Sequence, residues 1–228
     1  MPLLKKWEYD GAVCGIWKVT ETIDELRSLL TDKSITPDFD NYKSPSRRLE
    51  FLAVRALLAS ILGKECKISH RPSGKPYMDS SDSRISISHT KGYVAVSIHP
   101  FKEVGIDIEY FSDRVRKVVD RFVGADEMKL FDELGQKYCG ELSADKLFTS
   151  LYLLSWSAKE TMFKMMDSDE VDLINHLHIE SIQMPLGSNL PFYGTLEARE
   201  SRTALANSMY IEYYICDDFV CTYSSLDL

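Results

Sequence analysis

The apolar residues of this chain fall into two kinds of repeat, and their order lays out the fold. Over residues 46–62, Leu49, Leu52, Ala53, Ala56, Leu57 and Ile61 recur at spacings of three and four. That is the period of a helix with one core-facing stripe. Gly63 follows as a stop. A second strong helix is predicted over residues 148–166. Elsewhere the period drops to two. Ile85-Ser86-Ile87-Ser88-His89 alternates strictly, Thr90-Lys91-Gly92 turns, and Tyr93 to Ile98 returns, which predicts a hairpin. Residues 13–19, 104–109, 177–182, 192–196, 209–215 and 219–223 also read as strands. The last two make a hairpin across Cys216-Asp217-Asp218. A short helix is expected over 21–31, capped by Thr20 or Thr22. Residues 32–45 and 71–76 read as loops. Residues 112–134 read as helix in two pieces broken near Gly124, and 135–147 as polar loop or helix.

Helices and strands do not alternate regularly, which predicts an α+β fold with antiparallel sheets rather than a doubly wound parallel sheet. Each half of the chain carries one long helix and several strands, a repetition consistent with duplication. The length of 228 residues suits one domain or two halves. A net charge of −8 argues against a nucleic-acid partner, since such binding is driven by phosphate neutralisation. It leaves room for a local basic pocket for a small phosphate ligand. The five cysteines are scattered, odd in number and without C-x₂-C spacing, as expected for reduced thiols in a cytoplasmic protein. The N-terminus has no long apolar run after its charges, and no stretch of about 18 apolar residues occurs. No signal peptide and no membrane span are expected.

Four groups of residues could carry chemistry. In Gly105-Ile106-Asp107-Ile108-Glu109, strand alternation puts both acids on one face, with Ile106 and Ile108 on the other. Two such carboxylates repel unless a cation sits between them, and a few hard oxygen ligands suit magnesium. In Trp156-Ser157-Ala158-Lys159-Glu160-Thr161-Met162-Phe163-Lys164, Glu160 and Lys164 share a helix face. Gly74-Lys75-Pro76 and Ser88-His89-Thr90 offer donors for phosphate oxygens. Arg47, Arg48 and Arg55 could meet a phosphate group bidentately. Each group also has an ordinary reading: solvated strand acids, a surface ion pair, a turn with a strand-end histidine, a solvated helix face.

Taken in order, the arginine-rich helix, Gly-Lys-Pro, Ser-His-Thr, Gly-Ile-Asp-Ile-Glu and Trp-Ser-Ala-Lys-Glu-x-x-x-Lys resemble the 4′-phosphopantetheinyl transferase superfamily, in its Sfp-type branch. The motifs run from Arg47 to Lys164. The gap between Asp107 and Trp156 is slightly longer than the family's, and a loop insertion near 135–147 would account for it. The resemblance implies a monomeric pseudo-dimer of two similar α+β halves, each a small antiparallel sheet packed on a long helix. The halves would be residues 1–103, contacting the nucleotide, and 104–228, carrying the metal and the catalytic helix. Coenzyme A would bind in the cleft between them.

The implied activity transfers the 4′-phosphopantetheine arm of coenzyme A to a serine of an apo acyl or peptidyl carrier protein and releases 3′,5′-ADP. Asp107, Glu109 and Glu160 are the implied magnesium ligands. Lys164 is implied on the coenzyme A pyrophosphate and Lys75, Ser88 and His89 as ligand contacts. Arg48 and Arg55 are implied at the 3′-phospho-adenosine end, with the choice between Arg47 and Arg48 open. Glu127 is a candidate general base beside Asp126, and Glu160 is the other candidate acceptor. Phe111, Arg114, Arg116, Lys117, Arg121 and Phe122 are expected to form a patch for the carrier, because the global charge gives no attraction to an acidic partner.

Overall fold

The computed structural model describes residues 3–31, 39–79, 81–138, 143–166, 170–185, 190–204 and 206–227. The chain divides into two compact units, Met1–Ile106 with Asp227–Leu228, and Asp107–Leu226.

The first unit is an antiparallel sheet on one long helix. Strands β1 (Leu3–Tyr9), β2 (Ala12–Lys18), β5 (Arg84–Thr90) and β6 (Tyr93–His99) are ordered β1-β2-β6-β5. The strict alternation at 85–89 becomes β5, and its partner β6 is buried along its whole length. Helix α1 (Ile23–Ser28) opens on a capping box in which Thr22 and Glu25 satisfy each other's backbone N–H groups. Thr22 is therefore the cap, and the helix is shorter than the expected 21–31. Helix α2 (Pro45–Leu62) takes Pro45 in its first turn and ends at Gly63, whose φ of 71° is left-handed. Leu52, Leu57 and Leu58 are fully buried on it. At Gly15 on β2, an added Cβ would lie 2.8 Å from the Ile61 side chain, so a glycine there lets helix and sheet meet closely. A small hairpin of β3 (Ile68–His70) and β4 (Pro76–Met78) brackets the expected 71–76 loop. Of the expected 32–45 loop, residues 32–38 lie outside the described residues, Phe39 and Asp40 are helical, and Pro45 already opens α2.

The second unit is a five-stranded sheet with one long helix packed on it. Strands β8 (Leu177–Gln183), β9 (Phe192–Glu200), β10 (Ser208–Ile215) and β11 (Phe219–Leu226) form antiparallel pairs in sequence, and β7 (Glu103–Tyr110) borders β11. Helix α4 (Ala144–Met165) packs on β11, starting four residues before the expected 148 under an N-cap from Ser143. The expected helix over 112–134 divides differently. Asp113–Lys117 and Val119–Arg121 are 3₁₀ turns, and only α3 (Ala125–Lys137) is α-helical, with Gly124 as its N-cap. The expected insertion at 135–147 resolves into the last turn of α3 and the first turn of α4. Its middle, residues 139–142, lies outside the described residues. The core of this unit includes Phe122, Phe131, Leu151, Met162, Leu196 and Ile211. Cys66 and Cys216 are free thiols, and the buried Cys14 Sγ lies 3.3 Å from Ser97 Oγ. Among the described residues, no helix is long and apolar enough to cross a membrane.

Candidate active site

The site in the second unit is built by one strand and one helix. On β7, alternation places Asp107 and Glu109 together. On α4, Trp156, Glu160 and Lys164 are spaced by four and share a face. The helix is fixed in rotation by buried hydroxyls. Ser157 Oγ lies 2.9 Å and Thr161 Oγ1 2.7 Å from Thr222 Oγ1 of β11. With that face set, Trp156 Nε1 donates to Glu109 Oε1 at 2.8 Å. Lys164 Nζ donates to Asp107 Oδ1 at 2.7 Å. Glu160 is half-buried beside them and feels the charges of Asp107 and Lys164.

These three carboxylates crowd one another. Burial, with the charge of Asp107 next, pushes Glu109 up to about 7, against the opposing hydrogen bond from Trp156. Burial and Asp107 also raise Glu160, while Lys164 opposes the rise. Asp107 is buried at 3% exposure. Among the described residues, no three His, Cys, Asp or Glu side chains converge into a formed metal cage. The donor set is nonetheless of the kind a hard divalent cation takes. It already holds one cation in contact, the Lys164 ammonium on Asp107.

Glu127 and Lys159 make a second pairing in the same unit. Lys159 Nζ lies 2.8 Å from both oxygens of Glu127. It also donates to the carbonyls of Phe122 and Leu173. Glu127 in turn accepts from the backbone N–H of Gly124 and of Ile179. Lys159 is fully buried, and burial pulls its pKa below that of a free lysine while Glu127 opposes the pull. Glu127, the expected candidate base, is thus placed as a counter-ion that caps α3 and pins β8. Asp126, its competitor, is exposed and paired with Lys129.

The first unit gathers the other expected contacts, with changes of partner. Arg47 Nη1 lies 2.6 Å from His89 Nε2. Arginine can only donate, so Nε2 is the accepting nitrogen of that ring. Nδ1 lies 3.5 Å from Glu50. Arg48 instead donates to the Tyr42 carbonyl and stacks over Phe39. Of the two arginines, Arg47 is the one that neighbours His89. Arg55 is buried, with its guanidinium 3.3 Å from the Phe51 ring centre. Arg47, Arg55 and His89 line a cavity of about 230 Å³ with Tyr42, Phe51 and Gly74. Ser88 is buried on β5. Lys75 turns elsewhere, its Nζ 2.8 Å from Glu103, which also pairs with Arg84.

Sequence reasoning passed over Glu103 and gave Lys159 no role. Glu103 had a signal: residues 103, 105, 107 and 109 share one face by alternation. Lys159 gave none, because a lysine inside a helical motif reads as surface until its neighbours are known. In the expected carrier patch, Phe122 is fully buried against Trp156, with ring centres 5.2 Å apart. Arg116 pairs with Asp145, while Arg114, Lys117 and Arg121 are exposed.

The family model of the 4′-phosphopantetheinyl transferase superfamily (ACPS) matches residues 103–224. The match takes in β7, the carboxylate cluster and the Glu127–Lys159 pairing. No curated protein matches the chain.

Proposed function

The chain belongs to the 4′-phosphopantetheinyl transferase superfamily, and from that premise we propose a magnesium-dependent enzyme of the Sfp-type branch whose chemistry is done by Asp107, Glu109, Glu160 and Lys164. Members of this family transfer phosphopantetheine from coenzyme A to a carrier protein. The observation that carries the assignment of residues is the crowding of three carboxylates around one ammonium. Such a cluster is costly in a merely structural role, because burial first, and the charge of Asp107 next, push protonation of Glu109 and Glu160 up. It is useful where a cation and a phosphate ligand complete it.

Asp107, Glu109 and Glu160 would hold the magnesium ion, which would offset charge on the pyrophosphate oxygens. Lys164 supplies a flexible point charge for a phosphate oxygen. Arg47, Arg55 and His89, with the Tyr42 and Phe51 rings, suit the phosphorylated nucleotide end of coenzyme A. Lys75 contributes by holding its loop to Glu103. The carrier serine Oγ attacks the phosphorus that bears the pantetheine arm. The Oγ–P bond forms, the bond from that phosphorus to the bridging oxygen breaks, and 3′,5′-ADP leaves. The serine proton passes to a carboxylate, for which Glu160 is the proposed acceptor. Glu127 is not, since both its oxygens already serve Lys159 and backbone N–H groups.

The exposed Arg114, Lys117 and Arg121 on the 3₁₀ turns, beside the half-buried Val118 and Val119, offer the carrier a basic and apolar surface. The reading includes a monomer of two similar halves, which light scattering would check. The direct test incubates the protein with magnesium, coenzyme A and an apo carrier, and reads the carrier's intact mass. A gain of one phosphopantetheine arm is expected from the wild type and not from Asp107→Asn. Equal gains from both would reject the assignment.

A further inference from the structure

Lys164 Nζ rests 2.7 Å from Asp107 Oδ1, and its charge also acts on Glu109 and Glu160. The two partners are held very differently. Asp107 is on a buried strand and its side chain is 5% exposed. Lys164 is in the last turn of α4 and its side chain is 23% exposed. The acid is fixed, and the ammonium sits on a flexible stem that reaches solvent. The last turn of a helix is also where a released cation is still favoured by the terminal carbonyls.

A divalent ion taking an oxygen of Asp107 meets this ammonium in contact with the same carboxylate. Either the ammonium moves, or two cations share one small cluster. An incoming pyrophosphate removes the conflict, because it offers Lys164 a new anion. We propose that Lys164 is a placeholder cation that couples the two ligands. Without coenzyme A it holds Asp107 and weakens divalent-ion binding. With coenzyme A it transfers to the pyrophosphate and opens Asp107 to the ion. Linkage then requires the ion to strengthen coenzyme A binding by the same factor.

The inference rests on the proposed metal and pyrophosphate roles, so its test must separate the two. The probe is Mn²⁺, titrated by electron paramagnetic resonance into the protein without coenzyme A. Lys164→Met should bind Mn²⁺ more tightly than the wild type, by roughly 5-fold or more, within the usual range of coupling between sites. Lys164→Arg keeps the charge and should bind as weakly as the wild type. It also controls for folding, which circular dichroism reads for both variants. In the wild type, Mg²⁺ should tighten coenzyme A binding, and that gain should shrink in Lys164→Met. Mn²⁺ binding by Lys164→Met no tighter than by the wild type, with both folded, overturns the placeholder alone. Unimpaired transfer by Asp107→Asn overturns the underlying reading instead.

Discussion

Two of the lysine–carboxylate pairings in the second unit, Lys159 with Glu127 and Lys164 with Asp107, differ in almost everything but charge. Lys159 and Glu127 are sealed from solvent, and both Glu127 oxygens and the ammonium are occupied by named partners. Lys164 Nζ lies 2.7 Å from Asp107 Oδ1 in a more exposed setting, with Glu109 and Glu160 nearby and their protonation raised. The first pairing is sealed, while beside the second, burial and the charge of Asp107 raise the protonation of two neighbouring acids. A satisfied pair resists change and suits a structural role. A frustrated cluster gains from a ligand and suits chemistry. Lys159 and Glu160 are adjacent in sequence, and the turn of roughly 100° per residue sends one to each.

The comparison breaks first on stability. Glu127→Ala or Lys159→Met leaves a buried charge alone and should cost about 3–5 kcal/mol, read by urea unfolding. Replacing both, as in Glu127→Leu with Lys159→Met, should cost less than either single change, since no charge is stranded. A double variant worse than both singles would contradict the counter-ion reading.

Smaller effects follow at the frustrated cluster. Glu109 has a folded-state pKa raised to about 7 from 4.5. Its contribution to stability is therefore full below pH 4.5 and is lost as pH rises through about 7. Glu109→Gln should flatten that part of the stability profile by on the order of 1–3 kcal/mol. Identical profiles for wild type and variant would remove Glu109 from the cluster. The smallest effect expected is at the surface. Arg114→Glu with Lys117→Glu should raise KM for an acidic carrier by about 10-fold at low salt and leave kcat nearly unchanged. An unchanged KM would place docking elsewhere.

Much of this was legible from residue spacing. The period of three and four gave α2 to within one residue, because Pro45 and Gly63 mark its ends chemically. Alternation gave β5 and put Asp107 beside Glu109. Partners were not legible where they come from distant segments. Lys75 finds Glu103, and Lys159 finds Glu127 and two backbone carbonyls, through contacts that no local pattern encodes. Residues 113–121 carry a helical composition, yet form two 3₁₀ turns; Val115 in the first and Phe122, just after the second, go into the core. Glu127 entered as a candidate base through the family resemblance, and the sequence does not show that its oxygens are taken by Lys159 and backbone N–H groups.

The sharpest measurement compares Glu127→Gln with Glu160→Gln in one assay, reading single-turnover transfer to an apo carrier per folded molecule. Glu160→Gln should keep its melting temperature and lose transfer by on the order of 10²–10³-fold, while Glu127→Gln should melt earlier yet transfer within about 10-fold of the wild type. The reverse result, with Glu127→Gln folded and inactive and Glu160→Gln active, would contradict the division of labour drawn between the two pairings.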